Sequence, residues 1–188
     1  MLRKKAKKEC YNPEKKARRK VFMLLAISIQ YIRRVILLGD NKPSKKIVEM
    51  IQAALTTEHQ ANIQYLSHAE IVDGFDSEPI IAKLKEIADD EKGHQAKLRE
   101  LLGDYLGEVP TMEIAKTKKA GSVKEILETN LVDEKQAVKD YTAVMEQLKA
   151  EKAELPYAFL TAEHTIRHII MDECEHIAEL KKLLAVKP

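Results

Sequence analysis

Residues 87–103 read IADDEKGHQAKLRELLG, and residues 169–184 read IIMDECEHIAELKKLL. In both, side chains recur at steps of three and four, the period of one helix face. The first face runs Leu84, Ile87, Glu91, His94, Leu98, Leu101, and the second runs Ile166, Ile169, Glu173, His176, Leu180, Leu183. Each apolar stripe is therefore broken by a Glu and a His within the shared form D-E-x-x-H. Charged groups are almost never buried without partners, so these two interruptions bear on fold and chemistry together.

The same period extends outward. Ile51, Leu55, Glu58, Asn62 and Tyr65 form one further face, and Leu127, Leu131, Glu134, Val138, Tyr141, Met145 and Leu148 form another. The pattern predicts helices near 45–73, 77–103, 122–152 and 156–185. Punctuation agrees: Ser44 can cap the first helix, Gly74, Asp76 and Ser77 make a turn, Ser122 with Glu125 reads as a capping box, and Pro156 opens the last helix. Gly103 to Gly121 is a connection of about nineteen residues, long enough to return along the bundle and set the second and third helices parallel. The expectation is an all-α four-helix bundle with a long crossover between helices 2 and 3.

Four carboxylates (Glu58, Glu91, Glu134, Glu173) and two imidazoles (His94, His176) then converge in one interior. Uncompensated, buried anions repel one another. Two divalent ions would neutralise them, and Glu with His suits iron or manganese better than calcium. Glu and His three apart share a helix face, so each E-x-x-H can offer both groups to one ion. Tyr65 follows Glu58 by seven residues and Tyr141 follows Glu134 by seven, which makes the chain two related helical hairpins. Asp90 and Asp172 can accept the far imidazole N–H from across the site, and Tyr65 and Tyr141 can donate to carboxylate ligands. His59, His68, His164 and His168 read as surface or satisfied histidines, and Cys174 as an inert packed thiol.

These stretches, with EHQANIQYLSHAE at 58–70, resemble the ferritin-like di-iron carboxylate superfamily, nearest to bacterioferritin and rubrerythrin, over about residues 47–188. The resemblance implies metal ligands Glu58, Glu91, His94, Glu134, Glu173 and His176 holding two Fe ions per chain, with Mn as an alternative. It implies a ferroxidase-type oxidoreductase that oxidises Fe(II) with O2 or H2O2, in iron homeostasis or oxidative-stress defence, and that forms a homo-oligomer. Lys92 stands where bacterioferritins have a haem-ligating methionine, so no haem is expected. Ala137 stands where rubrerythrins have a further glutamate, and the four-cysteine electron-transfer domain is missing. A rubrerythrin-like peroxidase would thus need an external electron donor.

Composition bounds the rest. The chain has 188 residues, 33% charged and 5% aromatic, with two cysteines (Cys10, Cys174) and no C-x-x-C, which excludes a disulfide framework and fits a reducing cytoplasm. The net charge of +2 hides an asymmetry: residues 1–46 hold 15 Lys/Arg against 3 Asp/Glu, and the remainder is acidic. Two domains are expected, a basic extension over 1–43 and the bundle over 44–188. Within the extension, Val21 to Ile32 is apolar but, closed by Arg33 and Arg34, too short to span a membrane, and no signal-type cleavage site follows. A solvated tail or an amphipathic helix on the body, a protein partner or an anionic membrane surface remain open, the last making the chain an iron-binding module recruited through its N-terminus. Nothing beyond charge supports nucleic-acid binding.

Overall fold

The computed structural model describes residues 41–75 and 77–185, all within one compact unit. The basic extension up to residue 40, with the apolar run expected at 21–32, lies outside the described residues. Four long helices are present: α1 (Lys45–Ala69), α2 (Ser77–Glu100), α3 (Val123–Ala150) and α4 (Phe159–Ala185). No strand occurs among the described residues.

The caps follow from local chemistry. The Ser44 hydroxyl accepts from the Ile47 N–H at 3.2 Å, satisfying one of the orphan donors of the first turn of α1. Ser122 accepts from the Glu125 N–H at 3.2 Å, while the Glu125 carboxylate reaches back to the Gly121 N–H at 2.8 Å, a capping box shifted outward by one residue. The first turn of α4 takes its cap from far away: the Asn41 side-chain oxygen accepts from the N–H groups of Tyr157 and Ala158, each at 3.2 Å. Asn41 and Lys42 are thereby fastened to the bundle, Lys42 donating its N–H to the Glu154 carbonyl at 2.8 Å.

Several helix ends differ from the sequence expectation, α3 stopping at Ala150 before the expected 152. α1 stops at Ala69 because the chain must turn through Gly74, whose φ of 110° suits glycine. α2 does not end cleanly but widens into a π-turn over Leu101–Tyr105, with the Leu106 N–H bonded to the Leu101 carbonyl at 3.0 Å. Helical hydrogen bonding in α4 begins only past Pro156, at Phe159.

α1 packs chiefly on α2 and α3 on α4, and the two hairpins meet through α1–α3 and α2–α4 contacts. Contacts ascend α2 as they descend α1, Asn62 bonding the Ala88 carbonyl and Gln95 the Glu58 carbonyl. They descend α3 likewise, Gln64 bonding Asn130 and Ser44 bonding Glu151. α2 and α3 are therefore parallel, as a crossover demands. The crossover lies along α1, stitched by side chains of that helix. Gln52 grips Val109 and Thr111 (2.8 and 2.7 Å), the Thr56 carbonyl accepts from Ala115 (3.2 Å), and Gln64 accepts from the Lys118 N–H (2.7 Å).

The apolar core comes in two parts. One, at the end where α1 begins, includes Ile47, Ile51, Leu98, Leu102, Leu148 and Ile166. The other, at the opposite end, includes Leu84, Ile87, Ile126, Leu127 and Leu180. Each such side chain, fully buried, contributes about 1.5–3 kcal/mol. Between them lies a polar layer. No helix among the described residues is long and apolar enough to cross a membrane.

Candidate metal centre

The polar layer is made of six side chains, each at most 3% exposed: Glu58, Glu91, His94, Glu134, Glu173 and His176. They form two interlocking sets. Glu58, Glu91, His94 and Glu173 offer ligand atoms all within 4.8 Å of one another, and so do Glu91, Glu134, Glu173 and His176. Glu91 and Glu173 belong to both. The helical spacing of three explains this sharing: within each D-E-x-x-H the carboxylate and the imidazole face the bundle axis together, and α2 and α4 adjoin.

Glu58 Oε2 is buried and makes no hydrogen bond, although His94 Nδ1 lies 3.5 Å away. A buried carboxylate oxygen without a hydrogen bond costs on the order of 1–3 kcal/mol, and a cation among the four carboxylates offsets that cost. Two overlapping sets of carboxylate and imidazole donors fit the ligand chemistry of iron or manganese.

Residues 48–186 match the family model of the ferritin-like domain. The chain belongs to the ferritin-like family. A solved crystal structure of ferritin-like, diiron-carboxylate proteins from Bacillus anthracis str. Ames is similar at 28% identity and a TM-score of 0.68, covering 74% of this chain and 96% of that one. No curated protein matches.

In this ferritin-like bundle the supporting side chains cross from one hairpin to the other. The Tyr65 hydroxyl of α1 donates to Glu134 Oε1 of α3, and the Tyr141 hydroxyl of α3 donates to Glu58 Oε1 of α1. Burial, together with the neighbouring carboxylates, pushes both phenols well above their usual range, so both remain protonated donors. His94 Nε2 lies 3.1 Å from Asp172 Oδ2 of α4, and His176 Nε2 lies 3.5 Å from Asp90 Oδ2 of α2. Each aspartate thus holds one ring from across the site with its Nδ1 turned toward the carboxylates.

Without metal, protons balance part of the buried charge. Burial opposes the imidazolium of His94, but Glu173, Glu58 and Glu91 outweigh it and push the group well up. Burial likewise opposes charge on His176, whose carboxylate neighbours Glu134 and Glu173 push it up to about 11. Desolvation raises Glu91 well above its usual value, with repulsion from Glu58 and Glu173 added. Desolvation and Glu173 push Glu134 up to about 8. Glu173 is held low because hydrogen bonds from Glu134, His176 and His94 overcome its burial.

Two histidines set aside as satisfied have definite work in fixing the crossover. Arg99 donates to His59 Nε2 at 2.7 Å, which leaves His59 Nδ1–H to donate to the Glu113 carbonyl at 2.7 Å. His68 Nε2 donates to the Lys118 carbonyl at 3.0 Å, and its Nδ1 accepts from Asn130 at 3.1 Å. His164 and His168 lie on α4 with ring centroids 4.3 Å apart, away from the buried layer. Cys174, expected to pack, is exposed, because it follows the inward Glu173 and so turns off the buried face. Sequence reading also missed the buried amide cluster of Gln60, Gln64 and Asn130, in which Gln60 donates to Gln64 (2.8 Å) and Gln64 to Asn130 (2.9 Å). The sequence carries no clear signal for it, since Gln60 and Gln64 lie off the stripe Ile51, Leu55, Glu58, Asn62, Tyr65.

Proposed function

We propose that this ferritin-like chain is a di-iron oxidoreductase that oxidises Fe(II) with dioxygen or peroxide. The supporting observation is the pair of four-residue sets that share Glu91 and Glu173. In this reading Glu58 and His94 would hold one ion and Glu134 and His176 the other, with Glu91 and Glu173 within reach of both sets. Bound there, a pair of iron ions would supply two-electron chemistry toward one oxidant molecule.

The chain's own residues then have separable tasks. Tyr65 and Tyr141 hold one oxygen of Glu134 and of Glu58, leaving the second oxygen of each for metal. Asp172 and Asp90 fix the imidazoles so that Nδ1 is the donor offered inward. His94, His176, Glu91 and Glu134 surrender protons as cations enter, keeping the interior near neutrality throughout loading. The two apolar clusters above and below exclude water from the layer along the bundle axis.

An anaerobic Fe(II) titration of the metal-stripped protein tests the reading, with a break expected at two ions per chain. Oxidation rates of the loaded protein with O2 and with H2O2 then separate a ferroxidase from a peroxidase that draws on an external donor. Failure to bind Fe(II) or Mn(II) would remove the proposal.

A further inference from the structure

Glu58 and Glu134 are pseudo-equivalent, as are Tyr65 and Tyr141, but the space beside them is not. Next to Glu134 it is filled: Gln64 bonds Asn130 and Asp133 at 2.9 Å each, and Asn130 bonds His68 at 3.1 Å. Carrying the same spacing along the chain, Asn130 corresponds to Ala54, Asp133 to Thr57, Gln64 to Asp140 and His68 to Val144. Those four counterparts line a cavity of ≈ 270 Å³ between α1 and α3. Small side chains hold it open, Ala53 and Ala54 on α1 with Ala137 and Ala143 on α3.

The cavity leads to the centre. Glu58 and Tyr141 lie on its wall, and Glu58 carries the buried oxygen that makes no hydrogen bond. Thr57, Glu58 and Ala137 also bound a second space of ≈ 20 Å³, room for about one water, which touches Glu91, Glu134 and Glu173. The cavity on the α1–α3 face thus shares the walls Thr57, Glu58 and Ala137 with the small space beside the carboxylate layer. Its lining carries no cationic side chain to hold an anion; Glu58 and Asp140 are its acidic members, Thr57 and Tyr141 bring hydroxyls, and the other six residues are apolar. Engineered apolar cavities of about 150 Å³ take up benzene or xenon, so this one has room for somewhat more.

We infer that this hollow flank is a binding site for a small uncharged apolar organic molecule, of benzene size or a short alkyl chain, seated beside Glu58 and Tyr141. The site gives the centre a second ligand besides metal and oxidant, delivered to one glutamate and not to its counterpart. Binding does not require the di-iron reading, since the cavity is bounded by protein alone.

The test uses the full chain, metal-stripped and zinc-loaded, with methyl-labelled Ala, Met and Val, titrated with benzene and followed by NMR. Saturable shifts are expected at Met50, Ala53, Ala143 and Val144 in both forms. Ala53→Leu and Ala143→Leu, at exposed positions on different helices, are each expected to weaken binding by about tenfold or more while circular dichroism and zinc stoichiometry stay unchanged. Xenon under pressure should compete with benzene. Absence of shifts at these methyls, undiminished binding in both folded variants, or binding that appears only when an oligomer is diluted apart would overturn the inference; the last would assign the face to a second copy. Loss of zinc binding with benzene binding intact would count against the metal reading alone.

Discussion

The two flanks of the centre on the α1–α3 side carry the same glutamate and the same tyrosine, yet one is plugged and the other hollow. Beside Glu134 the crossover passes close: the Lys118 backbone bonds Gln64 and His68, and its ammonium pairs with Asp133. Beside Glu58 the equivalent positions are small or short, and the polar plug is replaced by the cavity. A two-fold arrangement of helices persists where six groups must converge and lapses where a single unrepeated connection covers one side. Within one chain there is only one crossover, so the symmetry of the ligands cannot extend to their surroundings.

The largest expected effect removes what both flanks share. Glu91→Ala or Glu173→Ala deletes a group common to both sets, and metal analysis should show loss of both ions, a larger loss than the about 10–100-fold that a supporting residue costs. A variant retaining two tightly held ions would break the idea of one joint centre.

Next comes pH. His94, His176, Glu91 and Glu134 are all pushed up in the metal-free protein, while ligands bind metal deprotonated. Loading near neutral pH therefore releases protons, and affinity rises with pH by about tenfold or more per unit between pH 6 and 8. Calorimetry in buffers of different ionisation enthalpy measures the release; proton-neutral loading would contradict the charge balance drawn above.

Asp172→Ala and Asp90→Ala should each weaken metal binding by about 10–100-fold, the first more strongly, because Asp172 lies closer to its ring, 3.1 against 3.5 Å. Equal effects would mean that the two imidazole supports are equivalent after all. Asn130→Ala sharpens the flank comparison directly. It strands His68 Nδ1 and weakens Gln64 in a fully buried cluster, at about 1–3 kcal/mol in a denaturant melt, whereas Ala53→Ser, at an exposed position on the hollow flank, should change stability by less than about 0.5 kcal/mol. Comparable losses at both would show that the plug is no more than packing.

The smallest effect lies away from both flanks, where Glu151 accepts from the Ser44 N–H at 3.0 Å and from its hydroxyl. Burial would raise this carboxyl, but the bonds from Ser44 and Gln147 hold it below its usual 4.5. With a depressed folded value, its contribution is present above about pH 4.5 and fades as pH falls through the folded value. Glu151→Gln should therefore lower the melting temperature by a few degrees near pH 7 and by less near pH 3.

Periodicity and capping residues were enough to read four helices, their approximate ends and a crossover, because each signal is local: apolar steps of three and four, Ser44, Ser122, Pro156. Convergence of Glu58, Glu91, His94, Glu134, Glu173 and His176 was legible for the same reason, since a polar residue on an apolar stripe has nowhere to point but inward. The π-turn after Glu100, the cap that Asn41 lends to α4 and the exposure of Cys174 were not legible. The π-turn carries no capping signal, since it only widens the existing helical hydrogen bonding by one residue; the remote cap depends on chain segments distant in sequence, and the exposure of Cys174 depends on which way one helix is turned. Sequence alone, then, set which side chains meet, through the helical repeat. Only the tertiary structure decided which of the two flanks the crossover covers, how protons balance the buried charge, and which flank keeps a cavity, because those are settled by contacts between residues far apart in the chain.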